Sequence, residues 1–190
     1  MESALIVSSS EKSVAFFTGM LNAASRGVAV TVLTSGIEAR QQLLERDFDL
    51  AVINVPLPDE TGESLSRYIA SKETTQVILV VKSEYFDEMS AATEESGVLV
   101  VAKPVDRTIF WSALKLAKSA QSRLKKIRTE NSKLKQKIED IRLVDRAKHI
   151  LVSQLKMSEQ EAHRFIEKQA MDMRTARRDV AKGILRTYEN

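Results

Sequence analysis

The chain has no cysteine, so it can build neither a disulfide framework nor a thiolate metal centre. It has two histidines, His149 and His163, too little imidazole for a metal cluster or a His-based catalyst. Proline occurs three times, all before residue 105, and only one glycine, Gly183, lies beyond residue 107. A segment so poor in helix breakers is expected to be helical throughout. No apolar run approaches the roughly eighteen residues needed to span a bilayer. The apolar run near the start is four residues long and follows an acidic residue, too short and wrongly flanked for a secretory signal. A cytoplasmic protein is therefore expected. The sequence also offers no catalytic triad, acidic metal cluster or glycine-rich phosphate loop. No enzymatic activity, cofactor or metal is expected.

What the chain does have is an uneven distribution of charge. Its net charge of +3 conceals two opposed halves. Residues 1–106 carry 8 Lys and Arg against 16 Asp and Glu, a net of −8. Residues 107–190 carry 21 against 10, a net of +11. An acidic half followed by a basic one points to a regulatory domain joined to a module that meets a polyanion.

The acidic half alternates short apolar runs with amphipathic stretches. Residues 4–7, 28–33, 50–53, 77–81 and 98–101 read as five strands. Because the runs are continuous rather than alternating, strands buried on both faces of a parallel sheet are expected. Helices are expected near 11–25, 36–46, 61–71, 84–95 and from 107 onward. Five such units predict an α/β doubly wound five-stranded parallel sheet, flavodoxin-like, with chemistry at the carboxyl ends of its strands.

The basic half opens with a heptad register. Leu124, Asn131 and Ile138 alternate with Ile127, Leu134 and Ile141 at spacings of three and four, the a/d seam of a two-stranded coiled coil. Asn131 at an a position fits a parallel homodimer, where it meets its twin and fixes register. The helix after the fifth strand is expected to run into this coil without a break. Three shorter helices are expected beyond Leu143. Ser158 and Glu161 form a capping box that sets a helix boundary near 157. A further helix is expected from about Thr175. Ile150, Leu151, Leu155, Met157, Ala162, Phe165, Ile166, Ala170, Val180, Ile184 and Leu185 are the expected core of this small module, and Met171 is assigned to it as well. Three domains are expected: 1–120, a coiled-coil dimerisation helix at 121–143, and 144–190.

One constellation stands at the expected carboxyl edge of the sheet. Asn54-Val55-Pro56-Leu57-Pro58-Asp59-Glu60-Thr61-Gly62 follows the third strand, and Lys103-Pro104 follows the fifth. It resembles the receiver domain of two-component response regulators over roughly residues 3–120. In that family an aspartate takes up a phosphoryl group, with Pro and Gly four and eight residues on, as Pro58 and Gly62 stand here. The resemblance also marks what has changed. Asn54 replaces the acceptor. Ser8, Ser9 and Ser10 stand where carboxylates would hold Mg²⁺, a hard cation that needs oxygen ligands of that kind, with only Glu11 nearby. Val81 stands where a switch hydroxyl is expected. Lys103 is kept, as a partner of Asn54 or a neighbouring carbonyl. The expectation is a pseudo-receiver that accepts no phosphate. Phosphorylation at Asp49 or Asp59 is the weaker alternative, because neither ends a strand beside a metal pocket.

The C-terminal segment carries a second pattern: Ala147-Lys148, then Ser158, Glu161 and Ala162, then Lys168, Ala170, Met171 and Arg174. It resembles the ANTAR domain, an RNA-binding antiterminator module found behind receiver-like domains, over about residues 140–186. The resemblance implies binding to paired stem-loops in a leader transcript by a homodimer. Lys148, His163, Arg164, Lys168, Arg174, Arg177 and Arg178 are the candidate RNA contacts, with His163 able to stack on an unpaired base. A DNA-binding regulator or a protein-interaction adaptor is the alternative. The input remains open between a regulatory protein partner, a small ligand and control by abundance.

Overall fold

The computed structural model describes residues 1–72 and 74–188. The chain forms two compact units, Met1–Lys126 and Ile127–Asn190. The expected divisions at 120 and 143 both fall inside one continuous helix, Arg107–Leu155.

In the first unit, strands β1 (Ser3–Val7), β2 (Ala29–Leu33), β3 (Leu50–Asn54), β4 (Gln76–Lys82) and β5 (Leu99–Lys103) alternate with helices α1 (Glu11–Ala24), α2 (Gly36–Glu45), α3 (Glu63–Ser71), α4 (Phe86–Thr93) and α5 (Arg107–Leu155). All neighbouring strands are parallel, in the order β2-β1-β3-β4-β5. The continuous apolar runs follow from the two-residue period of a strand. Ala4, Ile6, Leu50, Val52, Ile78 and Val80 face Phe17 and Leu21 of α1 and Phe110 and Leu114 of α5. Leu5, Val7, Ala51, Ile53, Leu79 and Val81 face Leu43 of α2, Leu65 and Ile69 of α3, and Met89 of α4. Both faces of the three central strands are thus covered. The edge strand β2 departs from the expectation: none of its residues is fully buried, because only one neighbour flanks it. Strand order reverses around β1, which places the crevice between the carboxyl ends of β1 and β3. That crevice holds Ser8 and Asn54.

The second unit contains the end of α5 with α6 (Glu159–Asp172) and α7 (Arg177–Tyr188). Ala147 and Leu151 of α5, Ala162, Ile166 and Ala170 of α6, and Val180, Ala181, Ile184 and Leu185 of α7 form its core. The alanines let the helix backbones approach closely. Helix α6 starts at a full capping box, with Ser158 Oγ accepting from the Glu161 amide and the Glu161 carboxylate accepting from the Ser158 amide. Three residues assigned to the core lie outside it. Leu155 and Phe165 are exposed, and Met171 is 77% exposed. Helical spacing gives a residue's angle around the axis, but not which arc the neighbouring helices cover.

Candidate functional site

At the carboxyl edge of the sheet, Asn54 ends β3 and is only 6% exposed. Its Nδ2 donates to Ser8 Oγ at 3.0 Å, and Ser8 Oγ in turn accepts from the Ser10 amide at 3.2 Å. Asn54 Oδ1 is buried with no hydrogen-bond partner among the described residues. Lys103 Nζ donates to the carbonyl oxygen of Val55, the neighbouring-carbonyl alternative, and burial followed by the charge of Lys82 pushes its pKa down. Val81 is fully buried in the sheet. Ser9 and Glu11 are exposed, Glu11 in the first turn of α1. These donors do not fit a divalent cation. The buried oxygens are one neutral amide oxygen and one hydroxyl rather than carboxylates, and the nearest carboxylate in sequence lies out on a helix surface. Gly62 explains its own position: with φ +85° its backbone is left-handed, and a Cβ there would lie 2.2 Å from Val55 Cγ1.

The two alternative aspartates have structural partners. Asp49 precedes β3, at the sheet's amino edge, and accepts from the Ser3 amide and the Gln121 side chain. Asp59 accepts from the amides of Gly36 and Ile37 at 2.9 and 2.8 Å, anchoring the start of α2. Those two amides hold its carboxyl below the usual carboxylate range.

In the helical head the seven basic candidates separate into two groups. Lys148 is held between Asp145 at 2.8 Å and Glu159 at 3.8 Å, and the Asp145 hydrogen bond raises its pKa. Arg177 and His163 both reach Glu167, at 2.9 and 3.3 Å. Arg178 meets Asp140 at 3.1 Å. These four surround one cleft together with Lys137, Ile141 and Val144. Arg164, Lys168 and Arg174 are exposed and have no ion-pair partner among the described residues. Lys156, which the sequence pattern did not single out, joins Arg164 and Lys168 around a second cleft beside the α5–α6 turn. Lys156 and Arg174 both have left-handed backbone, φ +59° and +50°. A left-handed residue after a helix is a signature normally carried by glycine, and no glycine marks either turn.

Along α5, Leu124, Ile127, Leu134, Ile138 and Ile141 are all exposed, as is Asn131, which leaves the heptad stripe open along the helix. One further cleft escaped the sequence: Val55, Pro56, Val81, Tyr85 and Met89 enclose about 340 Å³ beside β4 and α4, with Lys82 and Glu88 at its lining.

An acceptor-type crevice at the switch point of a 2-1-3-4-5 sheet, followed by a basic helical head, defines a receiver-type regulator. The comparisons narrow this. The response regulator receiver domain matches residues 4–115, and the ANTAR domain matches residues 132–185. The chain belongs to the response-regulator receiver family and carries a C-terminal ANTAR domain. It is similar to the transcriptional regulatory protein PdtaR of Mycobacterium tuberculosis, 28% identical over 139 residues that cover 73% of this chain and 68% of that protein. Among solved structures it resembles the signal receiver domain of an HD domain-containing protein from Pseudomonas fluorescens Pf-5, at 21% identity and a TM-score of 0.56, covering 67% of this chain and 92% of that one. A CheY-like receiver domain protein from Methanospirillum hungatei JF-1 gives 20% identity and a TM-score of 0.56, covering 66% and 98%. These two likenesses carry the fold. Among the described residues, no helix is long and apolar enough to cross a membrane.

Proposed function

We propose that this chain is an RNA-binding antitermination regulator that grips paired stem-loops in leader transcripts as a homodimer, and that its receiver domain takes up no phosphoryl group. The observation that carries the reading is the ANTAR domain at 132–185, a basic head whose Arg164, Lys168 and Arg174 are exposed without carboxylate partners among the described residues. The head does no covalent chemistry. By binding one RNA fold in preference to its competitor it shifts a folding equilibrium, and the terminator hairpin loses.

The homodimer rests on the exposed stripe of α5. Five large aliphatic side chains in a/d spacing, with an Asn at one a position, are what a parallel two-stranded coil buries. Two heads on one dimer suit two stem-loops, and linkage of the two binding events raises avidity. The silent receiver rests on Asn54, whose amide is no nucleophile for a phosphoryl group and whose surroundings lack the carboxylates for Mg²⁺. Input then comes from elsewhere, and a regulatory protein partner at the pseudo-receiver is one source.

The test is direct binding of the full chain to a leader RNA with two stem-loops, to the same RNA with one loop removed, and to duplex DNA. Tight binding to the paired RNA, weakening steeply as salt displaces phosphate contacts, is the expected result. Preference for duplex DNA would replace this reading with a DNA-binding regulator. Indifference to all nucleic acid would leave a protein-interaction adaptor.

A further inference from the structure

Phe165 stands at a position where the helical pattern calls for core, yet 37% of it is exposed and it is absent from the packed cluster of the head. Its ring instead lines the cleft beside the α5–α6 turn, an open concavity of about 450 Å³. Lys156, Arg164 and Lys168 line the same cleft, with Leu155 and Met157 as its apolar part. Arg164 and Lys168 are one helical turn apart on α6, so they project to the same side. None of the three cations has a carboxylate partner among the described residues. The acid within the cleft, Glu161, is already engaged, since its Oε2 accepts from both the amide and the hydroxyl of Ser158 at 2.8 Å.

The cleft around Lys148, Arg177 and Arg178 is the internal control. There, every one of those cations is matched by Asp140, Asp145, Glu159 or Glu167. A phosphate seeking Lys148, Arg177 or Arg178 would have to displace a carboxylate, whereas one seeking Lys156, Arg164 or Lys168 would not. Lys156 adds a second argument. A non-glycine residue in the left-handed region costs about 1 kcal/mol or more. Here the chain accepts that cost to place an exposed lysine at the cleft's rim.

We infer that this cleft is a base-stacking subsite, in which the Phe165 ring takes one unpaired loop base while Lys156, Arg164 and Lys168 neutralise the phosphates beside it. The inference rests on the RNA-binding reading and assigns the face and the side chains that carry it. An aromatic ring exposed among free cations matches the way single-stranded nucleic acid is held, with π-faces for bases and positive charge for the backbone. An acidic peptide would use the cations but would have no call on the ring.

The experiment uses the full chain and a pool of RNA hairpins with one fixed stem and randomised unpaired loops. The tightest binder is then remade with an abasic site at each loop position in turn. Phe165→Ala is expected to weaken the intact hairpin on the order of tenfold to a hundredfold. On one abasic hairpin, already weakened, the same substitution is expected to change nothing further. F165W should keep the affinity. Lys156→Gly removes the charge and relieves the left-handed backbone, so binding should fall and the salt slope drop by about one unit while thermal stability holds or rises. Equal affinity of wild type and F165A on the intact hairpin overturns the subsite. So does an equal loss on every abasic hairpin, which would mean that Phe165 supports the fold rather than a base. Binding of poly-glutamate that F165A weakens as much as it weakens RNA overturns it in favour of an acidic polypeptide. Failure of the wild-type chain to bind any hairpin is a different result, and takes the RNA reading down with the subsite.

Discussion

At the carboxyl edge of the sheet the polar groups face inward and pair with one another, Asn54 Nδ2 with Ser8 and Lys103 with the Val55 carbonyl, while Asn54 Oδ1 has no partner among the described residues. On the helical head three of the seven predicted contacts, Arg164, Lys168 and Arg174, are exposed with no ion-pair partner among the described residues. The receiver crevice keeps the glycine turn, the lysine and the sheet of its family while its acceptor is an amide. The head keeps its charge, and its exposed Lys156 and Arg174 both have left-handed backbone. One region has the scaffold of a reaction without the reagents, and the other has reagents for binding without an elaborate scaffold. On the proposed reading, the first serves as a surface or a spacer rather than as a phosphoryl acceptor.

The largest effect is expected where the comparison depends on a second copy of the chain. Replacing Leu134 and Ile141 together with Glu puts like charges into the proposed seam. The variant should sediment as a monomer, lose about a hundredfold or more in affinity for paired stem-loops, and keep its affinity for a single one. A dimer that survives this pair of changes would move the interface off α5.

Next in size is Gly62→Ala in the receiver. The left-handed backbone and a Cβ lying 2.2 Å from Val55 Cγ1 act together. A loss of roughly 2–4 kcal/mol is expected from the strain and the overpacking. The chain's one tryptophan, Trp111, packs against the α1–α5 core and reports unfolding of this half by fluorescence. An unchanged midpoint in denaturant would show that the turn can relax.

Asn54→Asp sharpens the same point chemically. It restores the acceptor side chain but none of the carboxylates that would hold a cation, so incubation with acetyl phosphate and Mg²⁺ should add no phosphoryl mass. The buried carboxylate should cost about 1–3 kcal/mol, since the Asn54 Oδ1 whose place it takes meets no donor among the described residues. Phosphoryl uptake by this variant would show that one substitution separates the crevice from activity.

Much of this was legible in the sequence, for reasons that can be named. Strands buried on both faces announce themselves as unbroken apolar runs, so β1, β3 and β4 could be placed within a residue or two, and the capping box at Ser158 fixed the start of α6. Edge strand β2 gave the same signal without the same burial, because apolar content does not count neighbours. The head's basic residues were visible as residue types, but their sorting was not. Arg178 meets Asp140 and Lys148 meets Glu159 across different helices, and such pairs have no sequence spacing to betray them. Phe165 was assigned to the core for the same reason: its spacing places it beside Ile166 and Ala162, and only the packing of α5 and α7 decides which side of the helix is covered.

The smallest expected effect compares how the two halves respond to acid. In the receiver, amides at the start of α2 stabilise two ionised carboxylates. Gly36 and then Ile37 donate to Asp59, and the amide and then the hydroxyl of Thr34 donate to Glu38. In the head, the Ser158 amide and hydroxyl do the same for Glu161. All three groups titrate below the ordinary carboxylate range when folded. Each therefore contributes stability that is complete above the unfolded pKa of about 4 and is lost as pH falls through the lower folded value. The receiver has two such groups to lose, so its Trp111 transition should weaken more steeply in acid than the exchange protection of α6 amides measured on the same sample. Asp59→Asn should flatten the receiver's acid response only in part, because Glu38 remains, and should leave the α6 response where it was. An α6 response that moved with Asp59→Asn would mean that the two halves unfold as one cooperative body, and the contrast between them would then describe surfaces rather than separate domains.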